Sequence, residues 1–187
     1  MRGCRASNSR TDRSKRAGIA LALALAACSA PPEPESVVAP DAWREFQGSL
    51  NATGTRHTIP LGGERRASLI DMSGTMLLSG PLRPNVGFRS QVIVLNDSLT
   101  GLVGRSVWTD QNGDQVFSEL EGQNVASGSR ISGKFVGGTG RYEGASGTYE
   151  FAWQYVLEGE DGTVQGRTVG LKGRVRREGP PPAKGQP

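Results

Sequence analysis

Two acidic residues have the side chains that acid–base chemistry needs. Asp110 ends one run of alternating residues, and Glu119 lies within the next run. A carboxylate that faces an enclosed apolar space has a raised pKa, so it can exchange a proton with a bound substrate. Neither a nucleophile motif nor a cysteine–histidine pair accompanies these acids, and His57, the single histidine, is expected on a loop before Pro60. We therefore expect that the protein is not an enzyme. In the alternative, in which it is an enzyme, Asp110 and Glu119 are the catalytic candidates.

The second group of candidates is mainly aromatic and fits a ligand site. Four aromatic residues recur at every second position between 149 and 155, so one face of a strand carries all four rings. Such a face can line a cavity for an apolar molecule, fill the interior of the domain, or pack against another subunit. Two further candidates, at 141 and 142, are expected to pin a corner of the chain or to line one end of the domain. The candidate ligand-binding residues are Trp108, Tyr149, Phe151, Trp153, Tyr155, Arg141 and Tyr142.

A spacing typical of calcium loops occurs once in the sequence. Oxygen-bearing side chains stand at its first, third, fifth and twelfth positions: Asp110, Asn112, Asp114 and Glu121. The sixth position needs a glycine for the sharp turn, but the chain has Gln115 there, and no helical pattern flanks the segment. A tight hairpin accounts for the same residues, so we predict no bound metal and no cofactor.

The body of the chain consists of alternating runs, which predict strands. Glycine, asparagine, aspartate and proline separate these runs, and Asn112-Gly113 and Asp161-Gly162 are typical of tight hairpins. Eight antiparallel strands joined by short turns favour an all-β, up-and-down barrel, because closure removes exposed edges. A two-sheet β-sandwich is the alternative. The predicted strands are 43–56, 67–79, 88–96, 102–110, 115–123, 130–137, 148–158 and 163–176.

A glycine-rich stretch, residues 137–147, stands between two of these strands. It contains five glycines, and the chain is expected to turn a corner there. No Lys-Ser or Lys-Thr pair and no helical pattern follow it, which excludes a phosphate-binding loop. The sequence Gly-Gly-Thr-Gly-Arg-Tyr, followed by Gly144-Ala145 and Gly147, resembles a motif of the dirigent and allene oxide cyclase barrel-like superfamily. That resemblance implies an eight-stranded barrel whose interior can hold a small apolar molecule. The early strands do not match the family's motifs, so no catalytic residue is carried over.

The amino terminus is typical of an export signal. Residues 1–16 are basic, and residues 17–27 form an uninterrupted run of small and apolar side chains, too short to span a bilayer. The run ends Leu25-Ala26-Ala27-Cys28, which resembles the lipobox of bacterial lipoproteins. That resemblance implies that Cys28 becomes the new amino terminus and carries lipid. Ser29 after the cysteine then implies the outer membrane. Ordinary signal cleavage near Ala27 or Ala30, with Cys28 as a chance residue, is the alternative.

The predicted domains follow from these boundaries. Residues 1–27 are the lipoprotein signal peptide, 28–42 the lipidated cysteine with a proline-rich tether, 43–178 the barrel, and 179–187 a disordered tail. The signal peptide holds six of the 22 basic residues and one of the 18 acidic residues. The remaining chain has 16 basic and 17 acidic residues, so its net charge is near −1 and a nucleic-acid partner is excluded.

The sequence therefore predicts a lipoprotein of the bacterial envelope that faces the periplasm. Its barrel is expected to bind a small apolar ligand or a partner, and a homo-oligomer is compatible with the aromatic face. The alternative is an enzyme of cyclase or isomerase type that acts on an apolar substrate inside the barrel.

Overall fold

A computed structural model describes residues 42–81, 83–125 and 128–177 of the chain. The predicted signal peptide, Cys28, most of the tether and the predicted tail lie outside the described residues. The described chain contains the whole predicted barrel apart from its last residue and two short gaps.

The fold is a closed barrel of eight antiparallel strands in up-and-down order. Each strand pairs with its neighbour along the chain, and the first strand closes the barrel by pairing with the last. The predicted all-β barrel is confirmed, and the sandwich alternative is wrong because the single sheet closes on itself. The strands are β1 (Arg44–Pro60), β2 (Arg66–Gly80), β3 (Arg83–Asp97), β4 (Gly101–Asp110), β5 (Gln115–Val125), β6 (Gly128–Gly138), β7 (Ala145–Glu158) and β8 (Thr163–Arg177).

The two ends of the barrel differ in what they carry. β1 starts and β8 finishes at the same end, which we call the terminal end, and the glycine-rich stretch lies there too. The opposite end, which we call the far end, carries the β1–β2, β3–β4 and β7–β8 connections. The chain that precedes β1 therefore enters the barrel at the terminal end.

The barrel interior is packed with apolar side chains from every strand. Alternate residues point inward because successive side chains of a strand face opposite sides of the sheet. The inward set includes Leu50, Met76, Phe88, Trp108, Leu120, Ile131, Phe135, Tyr149, Trp153 and Leu171. Glycines make room for the largest rings: a Cβ atom at Gly133 or at Gly173 would overlap Tyr149.

The glycine-rich stretch turns the corner between β6 and β7, as predicted. A single turn of 3-10 helix, Gly140–Tyr142, lies inside it and was not expected from the sequence. Gly140 has a φ of 53°, in the left-handed region, and a Cβ atom there would collide with the Asp114 carboxylate. Glycine at this position thus lets the corner approach the β4–β5 hairpin closely.

Candidate functional site in the barrel interior

The predicted aromatic face points into the barrel. Tyr149, Phe151, Trp153 and Tyr155 of β7 all contribute to the interior wall, and Trp108 of β4 is buried beside them. The rings form a continuous cluster toward the terminal end. The Trp108 centroid lies 4.8 Å from that of Tyr149 and 5.2 Å from that of Phe135, and the centroids of Tyr149 and Phe135 are 5.0 Å apart. The alternating aromatic residues of β7 therefore help to fill the barrel interior.

A narrow cavity remains beside this cluster. Its volume is about 50 Å³, and its wall is mostly aliphatic and aromatic. Cavities that bind benzene measure about 150 Å³, and pockets for drug-sized ligands measure roughly 300–1,000 Å³. A volume of 50 Å³ holds only a few water-sized molecules. As the structure stands, the interior has no room for an apolar guest of ordinary size.

One group of polar side chains in the interior is fully paired. The hydroxyl oxygens of Ser118 and Tyr149 are 2.7 Å apart, and those of Ser118 and Ser106 are 2.6 Å apart. Burial raises the pKa of Tyr149, although its hydrogen bonds to the two serines partly oppose this effect. Tyr149 therefore stays protonated near neutral pH, and its hydroxyl group joins β7 to β4 and β5.

Two other polar atoms in the cavity wall lack a partner among the described residues. They are the hydroxyl oxygen of Ser90 and the indole nitrogen of Trp153, and both residues are buried. A buried polar group without a hydrogen bond costs about 1–3 kcal/mol. These two atoms are thus the interior positions where a water molecule would find polar contacts.

Asp110, the first catalytic candidate, is buried in a structural cluster at the terminal end. Its Oδ2 atom lies 2.7 Å from Arg141 Nη2 and accepts a hydrogen bond of 3.1 Å from the Tyr142 hydroxyl. Its Oδ1 atom accepts backbone N–H groups of Asn112 and Asp114. Both oxygens of the carboxylate are therefore engaged, and neither is free to exchange protons with a substrate.

The environment of Asp110 keeps it ionised. Burial alone would raise its pKa, but the Asn112 amide, the Tyr142 hydroxyl and the charge of Arg141 together hold that pKa below its ordinary value. The same contacts place Tyr142 over the terminal end, where its ring centroid lies 5.7 Å from that of Phe88. Arg141 and Tyr142 thus pin the corner, which is one of the two roles expected of them.

Glu119, the second catalytic candidate, lies on the outer face of β5. Its carboxylate is 3.1 Å from Arg105 Nη2, and both side chains are about half exposed or more. Its neighbours Ser118 and Leu120 point inward, so the strand's alternation forces Glu119 outward. The Glu119 carboxylate therefore lies outside the barrel. It cannot contact a substrate in the interior, as the alternative acid–base role would require.

The single histidine also lies away from the barrel interior. His57 lies exposed on β1, which continues to Pro60, so the expected loop is wrong. Within residues 42–81, 83–125 and 128–177, no group of three or more histidine, cysteine or acidic side chains could hold a metal ion. No helix in this part of the chain is long and apolar enough to cross a membrane.

An apolar surface on the outside of the barrel was missed by the sequence reasoning. Leu69, Leu95 and Val103 occupy one cross-strand row over β2, β3 and β4, and Ile93 lies two residues from Leu95 on the same face. Each of these four side chains is about half exposed, and we call them the outer apolar patch. A signal was present: residues 92–95 are all apolar, so β3 carries apolar side chains on both faces.

Comparison with known proteins adds no relative. No family model, curated protein or solved structure matches this chain. The function is therefore inferred from the chain's own residues and their arrangement.

Proposed function

We propose that this chain is a lipid-anchored protein of the bacterial outer membrane whose barrel binds a protein partner in the periplasm without catalysis. The anchor is Cys28, at the end of an apolar run that resembles a lipobox. Several acyl chains on one residue hold a protein stably at a membrane. The proline-rich tether then links the anchored cysteine to the barrel.

The small interior volume is the observation that carries this proposal. A cavity of about 50 Å³ favours a filled barrel over a carrier of apolar molecules. The aromatic candidates then serve stability, because their rings occupy the space that a ligand would need. The resemblance to dirigent and allene oxide cyclase barrels implies a ligand-holding interior, and that implication stays an untested prediction.

The position of ionisable groups argues against the enzyme alternative. Among the described residues, Asp110 is the buried carboxylate, and its oxygens are occupied by Arg141, Tyr142 and backbone amides. Glu119 lies outside the barrel. An acid–base step on an enclosed substrate would need a carboxylate that is both inside and available.

The outer apolar patch supports a protein partner. Apolar side chains that cluster on the surface of a soluble domain commonly mark interaction sites. Charged residues of both signs border the patch. Asp71 of β2 and Arg105 of β4 are the cross-strand neighbours of Ile93 on its two sides. An apolar centre with a polar rim is the usual composition of a protein–protein interface. The patch residues also lie toward the far end, away from the tether.

Site-specific photocrosslinking in cells tests the partner-binding role. A benzoylphenylalanine at Leu95 should give a high-mass adduct that is weakened by Leu69→Lys, whereas the same probe at Gln154, on the exposed face of β7, should give none. The same adduct from both positions, or none from Leu95, contradicts the proposal. An adduct of twice the chain mass identifies a second copy as the occupant and replaces the proposed partner.

Labelling with a fatty acid analogue tests the anchor separately. The full chain should incorporate the label, and Cys28→Ser should abolish incorporation. Cys4→Ser is the matched control, because Cys4 is the other cysteine of the chain and lies within the segment that is removed. Incorporation that survives Cys28→Ser contradicts lipidation at Cys28.

A further inference from the structure

A tryptophan and several arginines lie together at the terminal end of the barrel. The guanidinium carbons of Arg174 and Arg176 each lie 4.8 Å from the centroid of the Trp43 ring. Arg44 begins β1 and Arg177 finishes β8, so both lie on the same rim. We call these residues, Trp43, Arg44, Arg174, Arg176 and Arg177, the basic end patch.

The basic end patch faces solvent and carries an excess of positive charge. Its members are exposed apart from Arg176, which is half-buried. Three acidic residues adjoin the patch: Asp41 and Glu178 in the sequence, and Glu45, which is paired with Arg174 across β1 and β8. Against the four arginines of the patch they leave an excess of one positive charge. The next basic residue along β8, Lys172, is already paired with Glu150 at 3.1 Å.

The path of the chain brings this patch toward the membrane. The tether leads from Cys28 to residue 42 and reaches the barrel directly beside Trp43. A lipid on Cys28 would therefore attach the barrel to the bilayer through its terminal end.

We propose that the basic end patch docks on the anionic headgroups of that bilayer. Arginine guanidinium groups bind phosphate oxygens, and each arginine near an anionic surface adds to the attraction. Tryptophan is favoured at the boundary between headgroups and acyl chains, because its ring is apolar and its N–H group is polar. The contact holds the barrel upright on its tether, with the outer apolar patch turned toward the periplasm.

The orientation rests on the proposed lipid anchor, but the binding does not require the lipid. The chain from Ser29 to Pro187 keeps every strand of the closed barrel and lacks both Cys28 and the signal peptide. It should bind vesicles that contain phosphatidylglycerol and should not bind vesicles of phosphatidylcholine alone. Failure of lipidation at Cys28 would leave this result unchanged, so the two proposals can fail separately.

Acrylamide quenching of tryptophan fluorescence reports the contact directly. Of the three tryptophans in the chain, Trp43 is 45% exposed, whereas Trp108 and Trp153 are 2% and 7% exposed. The quenchable fraction therefore comes from Trp43. Phosphatidylglycerol vesicles should protect this fraction from acrylamide, and addition of salt should restore quenching because the headgroup attraction is screened.

Charge substitutions at the two ends of the barrel supply the decisive comparison. Arg174→Gln with Arg176→Gln should lower the vesicle partition coefficient about thirty-fold, the loss expected for two arginines at an anionic surface. Arg66→Gln with Arg130→Gln removes two exposed arginines at the far end and should leave binding within about two-fold. Unfolding curves verify that both variants stay folded. Equal binding to neutral vesicles, or equal losses in the two variants, overturns the proposal.

Discussion

Asp110 Oδ2 lies 2.7 Å from Arg141 Nη2, and this contact joins the β4–β5 hairpin to the glycine-rich stretch. The Asp110 side chain is almost fully buried, whereas about a third of the Arg141 side chain is exposed. The pair fixes the corner that carries Tyr142 over the terminal end of the barrel. A residue that looked catalytic in the sequence thus has a structural role.

Removal of Arg141 should destabilise the barrel. Arg141→Ala leaves a buried carboxylate without its cation, and breaking one side of a buried pair costs about 3 kcal/mol. Urea unfolding followed by tryptophan fluorescence measures the loss. The matched control is Arg105→Ala, which removes an arginine from the exposed pair with Glu119 and should cost less than about 1 kcal/mol. Similar losses in the two variants would show that the Asp110 pair contributes no more than a surface pair.

The stability of the barrel should fall in acid in a way that depends on Asp110. The pKa of Asp110 is lowered in the folded state, so its contribution is complete above its unfolded pKa of about 3.9. This contribution is lost as the pH falls through the lower, folded value. The unfolding free energy of Asp110→Asn should therefore vary less steeply below about pH 4 than that of the wild type.

Asp97 also has a lowered pKa, so its contribution must be separated from that of Asp110. A hydrogen bond from Arg65 lowers the pKa of Asp97 to about 2. Asp97 is present in both the wild type and Asp110→Asn, so the difference between the two curves isolates Asp110. Superimposable curves between about pH 5 and pH 2 would refute the assigned role of Asp110.

Two glycines in the strands provide a test of the packed interior. A Cβ atom at Gly133 would overlap the Tyr149 ring, so Gly133→Ala should lower the unfolding free energy by about 1–3 kcal/mol. The control is Gly87→Ala on β3, where the nearest atom to the added Cβ is 3.9 Å away. That substitution should be neutral or slightly stabilising, since alanine restricts the unfolded chain. A tolerated Gly133→Ala would mean that Tyr149 can move aside into unfilled space.

The fold could be predicted because its determinants are local. Alternation over eight runs defined the strands, and pairs such as Asn112-Gly113 and Asp161-Gly162 defined tight turns between them. Closure then followed from the need to pair the edges of the sheet. The strand boundaries differ from the predicted ones by up to five residues, at the start of β3, because hydrogen-bonded pairing continues beyond the apolar pattern, as it also does in β1 up to Pro60.

The site could be predicted only in part because its contacts are long-range. The pattern of β7 correctly grouped Tyr149 with Trp153, but the filling of the barrel depends on glycines of β6 and β8 that face those rings. The pairing of Asp110 with Arg141 joins two hairpins, and no spacing in the sequence encodes it. The outward position of Glu119 could have been predicted from the sequence, because Val116 and Leu120 show that the opposite face of β5 is the apolar one.

Two buried serines should respond differently to replacement by alanine. Ser90 has no hydrogen-bond partner among the described residues, so Ser90→Ala should leave the unfolding free energy unchanged or raise it by up to about 1 kcal/mol. Ser118 is bonded to Ser106 and Tyr149, and Ser118→Ala should lower that free energy by about 2 kcal/mol. A loss in Ser90→Ala equal to that in Ser118→Ala would reveal a bound partner for Ser90 in solution.

The most direct test of a filled, non-carrier barrel is native mass spectrometry of the mature protein extracted from the envelope of its own host. The predicted result is a chain that begins at a lipidated Cys28 and carries no further small molecule after the detergent is removed. A stoichiometric apolar molecule that stays bound to the folded protein and is released on unfolding would contradict the account. Such a molecule would show that the cavity beside Trp153 opens to admit a guest.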